Sequence, residues 1–167
     1  TVTASTALVT ITDDAFDATT NTATIAATAL SGIGNATTGT VTVSKAIKVE
    51  GTASELTEAL VSGSKTVTAS TALVTVTDSA FDAITNTATI AATTLSGIGN
   101  ATTGAVTVSK AIKVEGTASE LTEALVSGSK TVSAGTALVT ITDDAFDATT
   151  NTATIAATTL SGIGNAT

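Results

Sequence analysis

The chain repeats itself every 65 residues with almost no change. Residues 1–65 and 66–130 align without a gap and differ at five positions, and residues 131–167 begin a third copy. A period of this length is typical of repeats that bury their apolar faces against one another rather than in separate cores. We therefore predict one continuous array, with two complete repeats and a partial third, and expect this chain to be an excerpt of a longer one.

Each copy divides into three segments of 21, 18 and 26 residues, which in the second copy are residues 66–86, 87–104 and 105–130. Every segment begins with a short alternation of β-branched or small residues, bounded by Gly, Asn, Asp or Ser, which is the pattern of a half-buried strand. A second apolar stretch follows in each, at residues 73–76, 95–98 and 112–114. The pattern predicts a mainly β fold, a parallel β-solenoid with one coil per segment.

In this solenoid, equivalent strands would stack in parallel at about 4.7–4.9 Å. A narrow interior accepts Ala, Val, Ile and Leu, which are the apolar residues this chain supplies. The predicted interior positions are Val2, Ile11, Val41, Val43, Ile47, Val49, Val67, Val76, Val106, Val108, Ile112 and Val114. The competing fold is a string of separate β-sandwich beads, which the 65-residue period disfavours because such domains need about 100 residues.

One short helix per repeat is predicted within the third segment. Thr117 and Glu120 have the spacing of a capping box, and Leu121 and Leu125 follow on one helical face. The first copy has the same unit over Thr52–Gly63. A weaker helical turn is also predicted after the first Asp of each acidic cluster, with the following Phe covering an edge of the core; these residues are Asp13 and Phe16, Asp78 and Phe81, and Asp143 and Phe146.

Composition excludes most functional classes. The chain has no Cys, His, Arg, Trp, Tyr, Met or Pro, and Thr and Ala supply 42 and 32 of its 167 residues. Without His or Cys there is no Ser-His or Cys-His nucleophile and no zinc or haem site, so we predict no enzyme, no catalytic residues and no small-molecule substrate. The net charge of −8 argues against nucleic acid and against an anionic membrane surface. No apolar run approaches the roughly 18 residues that span a bilayer, so no membrane insertion is expected.

The segment from Thr37 to Gly63, which reads TTGTVTVSKAIKVEGTASELTEALVSG and follows LSGIGNA, carries a resemblance. It is similar to a repeat of very large extracellular proteins of marine cyanobacteria and other bacteria, and of related phage tail-fibre proteins. The matching elements are the T-G-T-V entry, the I-x-V-x-G-T-A stretch and the short helix with an acidic residue after G-T-A-S. The resemblance implies a secreted or virion-borne structural array.

The chain has one kind of carboxylate cluster, at Asp13, Asp14 and Asp17, which recurs at Asp143, Asp144 and Asp147. Calcium prefers such oxygen ligands, so these residues form the candidate calcium site. The middle copy replaces one carboxylate by Ser79, and neither the EF-hand spacing nor the calcium-binding nonapeptide occurs. An Asp at a corner more often caps a turn, so we predict no metal or other cofactor and keep calcium as the alternative.

Paired threonines raise a second alternative, a flat face turned toward ice or a mineral. The pairs are Thr1 and Thr3, Thr22 and Thr24, Thr66 and Thr68, Thr87 and Thr89, and Thr152 and Thr154. Such a face should recur on every coil, yet Ala105 and Ser133 interrupt it. The simpler interpretation is that Thr is a good strand residue whose hydroxyl faces water.

These observations predict a structural extracellular protein that forms a filament or a cell-surface fibre, with its own repeat as its partner. The alternatives are an adhesin stalk or phage tail-fibre shaft whose binding tip lies outside this segment, and the ice- or mineral-facing surface. The expected location is extracellular or at the cell surface, with a virion fibre as the variant. A long acidic array without reactive side chains stays solvated and is insensitive to redox conditions.

Overall fold

A computed structural model describes residues 6–61, 67–128 and 132–167. Over these residues the fold is α/β, with 29% of them in helices and 27% in strands. The eleven strands are β1 Val9–Ile11, β2 Thr24–Ala26, β3 Val41–Val43, β4 Lys48–Gly51, β5 Val67–Thr68, β6 Leu73–Val76, β7 Thr89–Ala91, β8 Val106–Val108, β9 Lys113–Gly116, β10 Val132–Ser133 and β11 Leu138–Ile141. The five α-helices are α1 Ala27–Asn35, α2 Ala53–Leu56, α3 Ala92–Asn100, α4 Ala118–Leu125 and α5 Ala157–Asn165, and α2 continues as a π-helix over Thr57–Val61.

The strands form three sheets, and every pair of neighbouring strands is parallel. Their orders are β1-β3-β5, β10-β8-β6-β4-β2 and β11-β9-β7. As far as β6 the chain alternates between the first and second of these sheets, and from β6 onward between the second and third, so strands that follow one another in sequence are not hydrogen-bonded neighbours. Paired residues lie 24 to 32 positions apart, as Thr24 and Lys48 or Val9 and Val41 show.

Each 65-residue copy contributes two units to this arrangement. The long unit, residues 67–104 in the second copy, holds β5, β6, β7 and α3, and the short unit, residues 105–128, holds β8, β9 and α4. Residues 6–39 and 132–167 form the corresponding long units, and residues 40–61 form the other short unit. Helices of successive units pack on one another, α1 on α2 and its π extension, then α3, α4 and α5.

The predicted β-solenoid of three coils per repeat is wrong. The stretch Leu95–Ile98, predicted as the second strand of its segment, lies in the middle of α3, so the 21- and 18-residue segments join into one long unit. Parallel strand pairing occurs, but it joins different positions of the repeat, as Val41 with Val67 and Val74 with Val106. The chain therefore has helices over more than a quarter of its length instead of one short helix per copy.

Helix α3 forms because its apolar residues follow a helical period over a window longer than the predicted strand. Ala92, Leu95, Ile98 and Gly99 fall on one face and are buried. The local sequence signals for this helix are weak. Its N-cap is Ala91, which offers no side-chain hydrogen bond, and two glycines lie inside the helix. Packing against neighbouring units, rather than local propensity, stabilises it.

The predicted interior is confirmed wherever the structure describes it. All of the predicted interior residues except Val2, which lies outside the described residues, are buried with at most 9% of their surface exposed. They belong to one apolar cluster, which the helices enlarge with Leu30, Leu56, Leu95, Ile98 and Leu121. Alternation along β3 and β8 places each Val inward and the central Thr outward, as the sequence pattern requires.

The predicted capping box is present in both copies. In α4 the Glu120 amide donates to Thr117 Oγ1 at 3.3 Å, and the Thr117 amide donates to Glu120 Oε2 at 2.8 Å. Helix α2 has the same box. The helical turn predicted after Asp13 and its equivalents is absent: residues 12–23 and 77–88 form loops, closed by a bridge between Asp17 and Asn21 in the first copy.

Candidate functional interface

The most extensive surfaces that the fold builds from conserved positions of the repeat are the faces by which successive units contact one another. Where a short unit follows a long one, Ser44 Oγ donates to the Ile11 carbonyl at 3.0 Å and Thr24 Oγ1 donates to Glu50 Oε1 at 2.9 Å. The second copy repeats both hydrogen bonds at 2.9 Å, with Ser109 donating to the Val76 carbonyl and Thr89 donating to Glu115. These contacts add side-chain specificity to the strand pairing.

Lysine and phenylalanine side chains reinforce the same junction. Lys48 Nζ lies 5.1 Å from the Phe16 ring centre, and Lys113 Nζ lies 5.5 Å from that of Phe81. Both distances are within the range of a cation–π interaction. Phe16 and Phe81 are half-buried, whereas Phe146 of the third copy, which no short unit covers among the described residues, is 65% exposed.

The first copy contains an ion pair whose carboxylate is replaced in the second copy. Lys45 Nζ lies 2.7 Å from Asp14 Oδ1, and both side chains are largely exposed. The hydrogen bond and the charge of Lys45 lower the pKa of Asp14 below its ordinary value. In the second copy Ser79 replaces this Asp, so Lys110 has no carboxylate at the matching position.

Where a long unit follows a short one, an aspartate connects them. Asp78 Oδ2 accepts from the Ala53 amide at 2.6 Å, so it caps the N-terminus of α2 from the next unit along the chain. Asp143 does the same for the Ala118 amide of α4, also at 2.6 Å. A carboxylate at this position also interacts favourably with the helix dipole.

The first two long units each close through a buried threonine and the glycine two residues after it. The Thr102 hydroxyl is buried and donates to the Ala72 carbonyl at 2.6 Å, and it accepts from the Gly104 amide at 3.0 Å. A Cβ at Gly104 would lie 2.0 Å from the same carbonyl oxygen, so only glycine fits there. Thr37 and Gly39 make the same contacts with Ala7 in the first copy.

The third aspartate of each cluster organises a loop. Asp17 Oδ1 accepts from the Thr19 hydroxyl at 2.6 Å, from the Thr19 amide at 2.9 Å and from the Thr20 amide at 2.8 Å. These hydrogen bonds, led by that of the Thr19 hydroxyl, hold the pKa of Asp17 well below its ordinary value. Asp147 has the same environment, formed by Thr149 and Thr150.

Four of the six candidate calcium ligands therefore have separate structural roles. In the third copy Asp143 caps a helix and Asp147 closes its loop, and in the first copy Asp14 pairs with Lys45. Within residues 6–61, 67–128 and 132–167, no group of three or more Asp, Glu, His or Cys side chains is placed to hold a metal ion.

The threonine pairs do not stack on one another. Thr24 is registered with Lys48, and Thr89 with Lys113. The exposed threonine ladder that the structure does form runs through Thr10, Thr42 and Thr68, one residue wide. Thr1, Thr3 and Thr66 lie outside the described residues.

Sequence reasoning missed the helical faces of α1, α3 and α5, although Ala, Leu and Ile recur there at helical spacing. It also missed the Asp caps of α2 and α4, for which no local signal exists because the Asp lies 25 residues after the amide that it accepts from. No helix in the described part of the chain has the length and apolarity to cross a bilayer. Comparison with protein-family models, curated proteins and solved structures finds no match, so the resemblance to bacterial surface and tail-fibre repeats stays a prediction.

Proposed function

We propose that the chain is a structural repeat protein of the cell exterior, whose units stack into a filament or cell-surface fibre with further copies of the repeat as its partner. The extracellular location rests on the resemblance of the 37–63 segment. The stacking rests on the geometry of the unit interfaces.

One observation supports the stacking most strongly. Leu95 in α3 is fully buried, whereas Leu160, at the same place in the identical helix α5, is 43% exposed. A unit follows α3 but none follows α5 within the described chain. Each unit thus leaves an apolar face that only the next unit covers, which is the physical requirement for a linear array.

The interface chemistry is suited to a static role. The contacts between units include strand pairing, buried aliphatic side chains, side-chain hydrogen bonds, cation–π contacts, helix caps and the Lys45–Asp14 ion pair, and all of them use common polar and apolar groups. The net charge of −8 keeps such an array solvated and opposes lateral association between arrays.

A series of chains with one, two, three and four complete repeats tests the proposal. In a stacked array the free energy of unfolding rises with repeat number, because each added repeat contributes two new interfaces. Negative-stain images of the longest chains should show unbranched rods that lengthen by about 10 Å per repeat, since two units advance by two strand spacings. Stability that stays constant beyond one repeat, with beads joined by linkers in the images, would refute stacking.

A further inference from the structure

The third strand of the middle long unit lies at the edge of its sheet. Strand β7 pairs with β9 on one side, and no strand within residues 6–61, 67–128 and 132–167 pairs with its other side. The short unit before it does not close this edge, because its strand β3 is already paired with β1 and β5 and its strand β4 with β2 and β6. Short units are present both before and after β7, so the open edge is a property of the repeat.

A groove lies beside this edge, between β7 and the helix of the preceding short unit. It has a volume of about 430 Å³, and it is lined by Ser54, Thr57 and Glu58 of α2 and its π extension and by Thr89–Ala91 of β7. The equivalent groove at the next junction lies between α4 and residues 154–156 and measures about 580 Å³. The groove therefore recurs at the same place in successive copies.

The side chains around the edge leave room for an extended peptide. Thr89 and Ala91 of β7 are exposed, as is Ser54 on the facing helix, and all three are small. Addition of a strand to an open sheet edge is a common mode of peptide recognition, in which main-chain hydrogen bonds supply affinity and neighbouring side chains supply specificity. Because β7 has three residues, the contact would cover about three to five residues of the added strand.

The charges in the groove favour a cationic partner. Among the described residues that line the first groove, Glu58 is the only charged one, and those of the second groove are Glu123 and Asp143. Asp143 already accepts from the Ala118 amide, which leaves Glu123 as the equivalent of Glu58. The net charge of −8 adds a long-range attraction for a basic segment.

We propose that this groove is a docking site for an extended, basic segment of a partner protein, which adds a strand to the open edge of β7 and places a cationic side chain beside Glu58. In the next copy Glu123 has the same role. The inference goes beyond the filament role, because the groove is complete within one chain. In an array it would supply one docking site per repeat along the side.

The test titrates the intact 167-residue chain into a fluorescent peptide of eight residues in which threonine and lysine alternate, and the readout is anisotropy. We expect saturable binding, since threonine favours the extended conformation and lysine supplies the charge. Replacing every lysine of the peptide by glutamate should weaken binding at least about 30-fold, because like charges would meet in the groove. Methylating the backbone nitrogens keeps the charge but removes the donors, and should weaken binding at least about tenfold.

Matched variants of the chain locate the site. Glu58→Gln combined with Glu123→Gln should weaken peptide binding about fivefold to tenfold and reduce its dependence on salt. Asp13→Asn combined with Asp144→Asn changes the net charge by the same amount outside the two grooves, and should leave binding within about twofold. Circular dichroism checks that each variant keeps its fold.

A second pair of variants blocks the groove without changing its charge. Ser54→Trp combined with Ser119→Trp adds a large side chain at an exposed position of each facing helix, so the fold should tolerate it. We expect this variant to weaken binding at least about tenfold, because the ring would occupy the space of the added strand.

Three results would overturn the proposal. The first is the lack of saturable binding up to about 1 mM peptide. The second is equal affinity for the methylated peptide, and the third is an equal loss of binding with the Glu and Asp variant pairs, which would indicate attraction to an acidic surface in general. The repeat-number series tests stacking separately, so an array that gains stability with each repeat while the peptide stays unbound would remove only the docking site.

Discussion

Helices α3 and α5 have the same nine residues, ATTLSGIGN, and different surroundings. Helix α3 lies between two units and buries Ala92, Leu95, Ile98 and Gly99, whereas α5 buries only Ile163. Because the nine residues are identical, the difference in burial comes from the neighbouring unit. Each unit thus forms only part of a hydrophobic core, and the neighbouring units supply the rest.

Helix α1 shows the complementary case, since a unit follows it but none precedes it among the described residues. There Leu30 is fully buried and Ile33 is 37% exposed, while in α5 Leu160 is 43% exposed and Ile163 is 3% exposed. The Leu of each helix therefore faces the following unit, and the Ile faces the preceding one. Each of these helices therefore contributes to two interfaces, one with the following unit through its Leu and one with the preceding unit through its Ile.

The largest expected effect comes from removing the shared leucine at its two positions. Leu95→Ala should lower the free energy of unfolding by about 2–5 kcal/mol, the usual cost of a buried Leu-to-Ala change. Leu160→Ala should cost less than half as much, because that side chain already contacts solvent. Urea unfolding of both variants measures the difference, and equal losses would mean that the third unit is covered by a contact that the structure does not show.

The glycine that closes each long unit should be nearly as sensitive. Gly104→Ala would place a methyl group 2.0 Å from the Ala72 carbonyl oxygen, and we expect a loss of about 1–3 kcal/mol from overpacking. Gly135→Ala is the matched control, because nothing lies within 4 Å of its added Cβ. Thermal unfolding of the two variants compares them, and an unchanged melting temperature for Gly104→Ala would show that this closure is loose.

The caps between units should have an intermediate effect. Asp78→Ala removes the acceptor of the Ala53 amide and should cost about 1 kcal/mol, in the range for lost helix caps. Asp13→Ala changes the equivalent residue of the first copy, where no preceding helix is described, and should be neutral. Chemical unfolding distinguishes the two, and a loss for Asp13→Ala as large as that for Asp78→Ala would reject the capping role.

The smallest effect concerns a loop in which one copy differs from the other two. In the second copy Ile84 occupies the position at which the other two copies have a Thr, whose hydroxyl donates to the loop Asp. The backbone amides of Thr85 and Ile84 lower the pKa of Asp82. Ile84→Thr should lower this pKa further, toward that of Asp17. A lowered folded-state pKa stabilises the loop above the ordinary value of 3.8, and this contribution is lost as the pH falls through the folded pKa. Carbon chemical shifts of the carboxylate, followed below about pH 4, measure the change, and an unaltered titration of Asp82 would show that the added hydroxyl does not reach it.

The sequence predicted the strands and the core well because those signals are local. Alternation of Val with Thr in β3 and β8 indicates which side chains point inward, and the capping box at Thr117 marks the start of α4. The stretch Leu95–Ile98 of α3 was predicted as a strand because a window of four residues with two apolar members is too short to distinguish a helical period from a strand period. Its fold depends on residues 25 or more positions away, as do the roles of Asp78 and Gly104, and no local pattern carries that information.

Amide hydrogen exchange in α3 and α5 tests the central claim most directly, because the two nine-residue sequences have the same intrinsic exchange rates. Segmental isotope labelling separates their signals in one sample of the chain. The account predicts that amides of Ala157–Asn165 exchange at least about tenfold faster than those of Ala92–Asn100, since α5 lacks its covering unit and opens more easily. It also predicts that appending the sequence of residues 103–130 to Thr167 brings the two helices to equal protection. Equal protection already in the 167-residue chain would contradict the claim that neighbouring units complete each core.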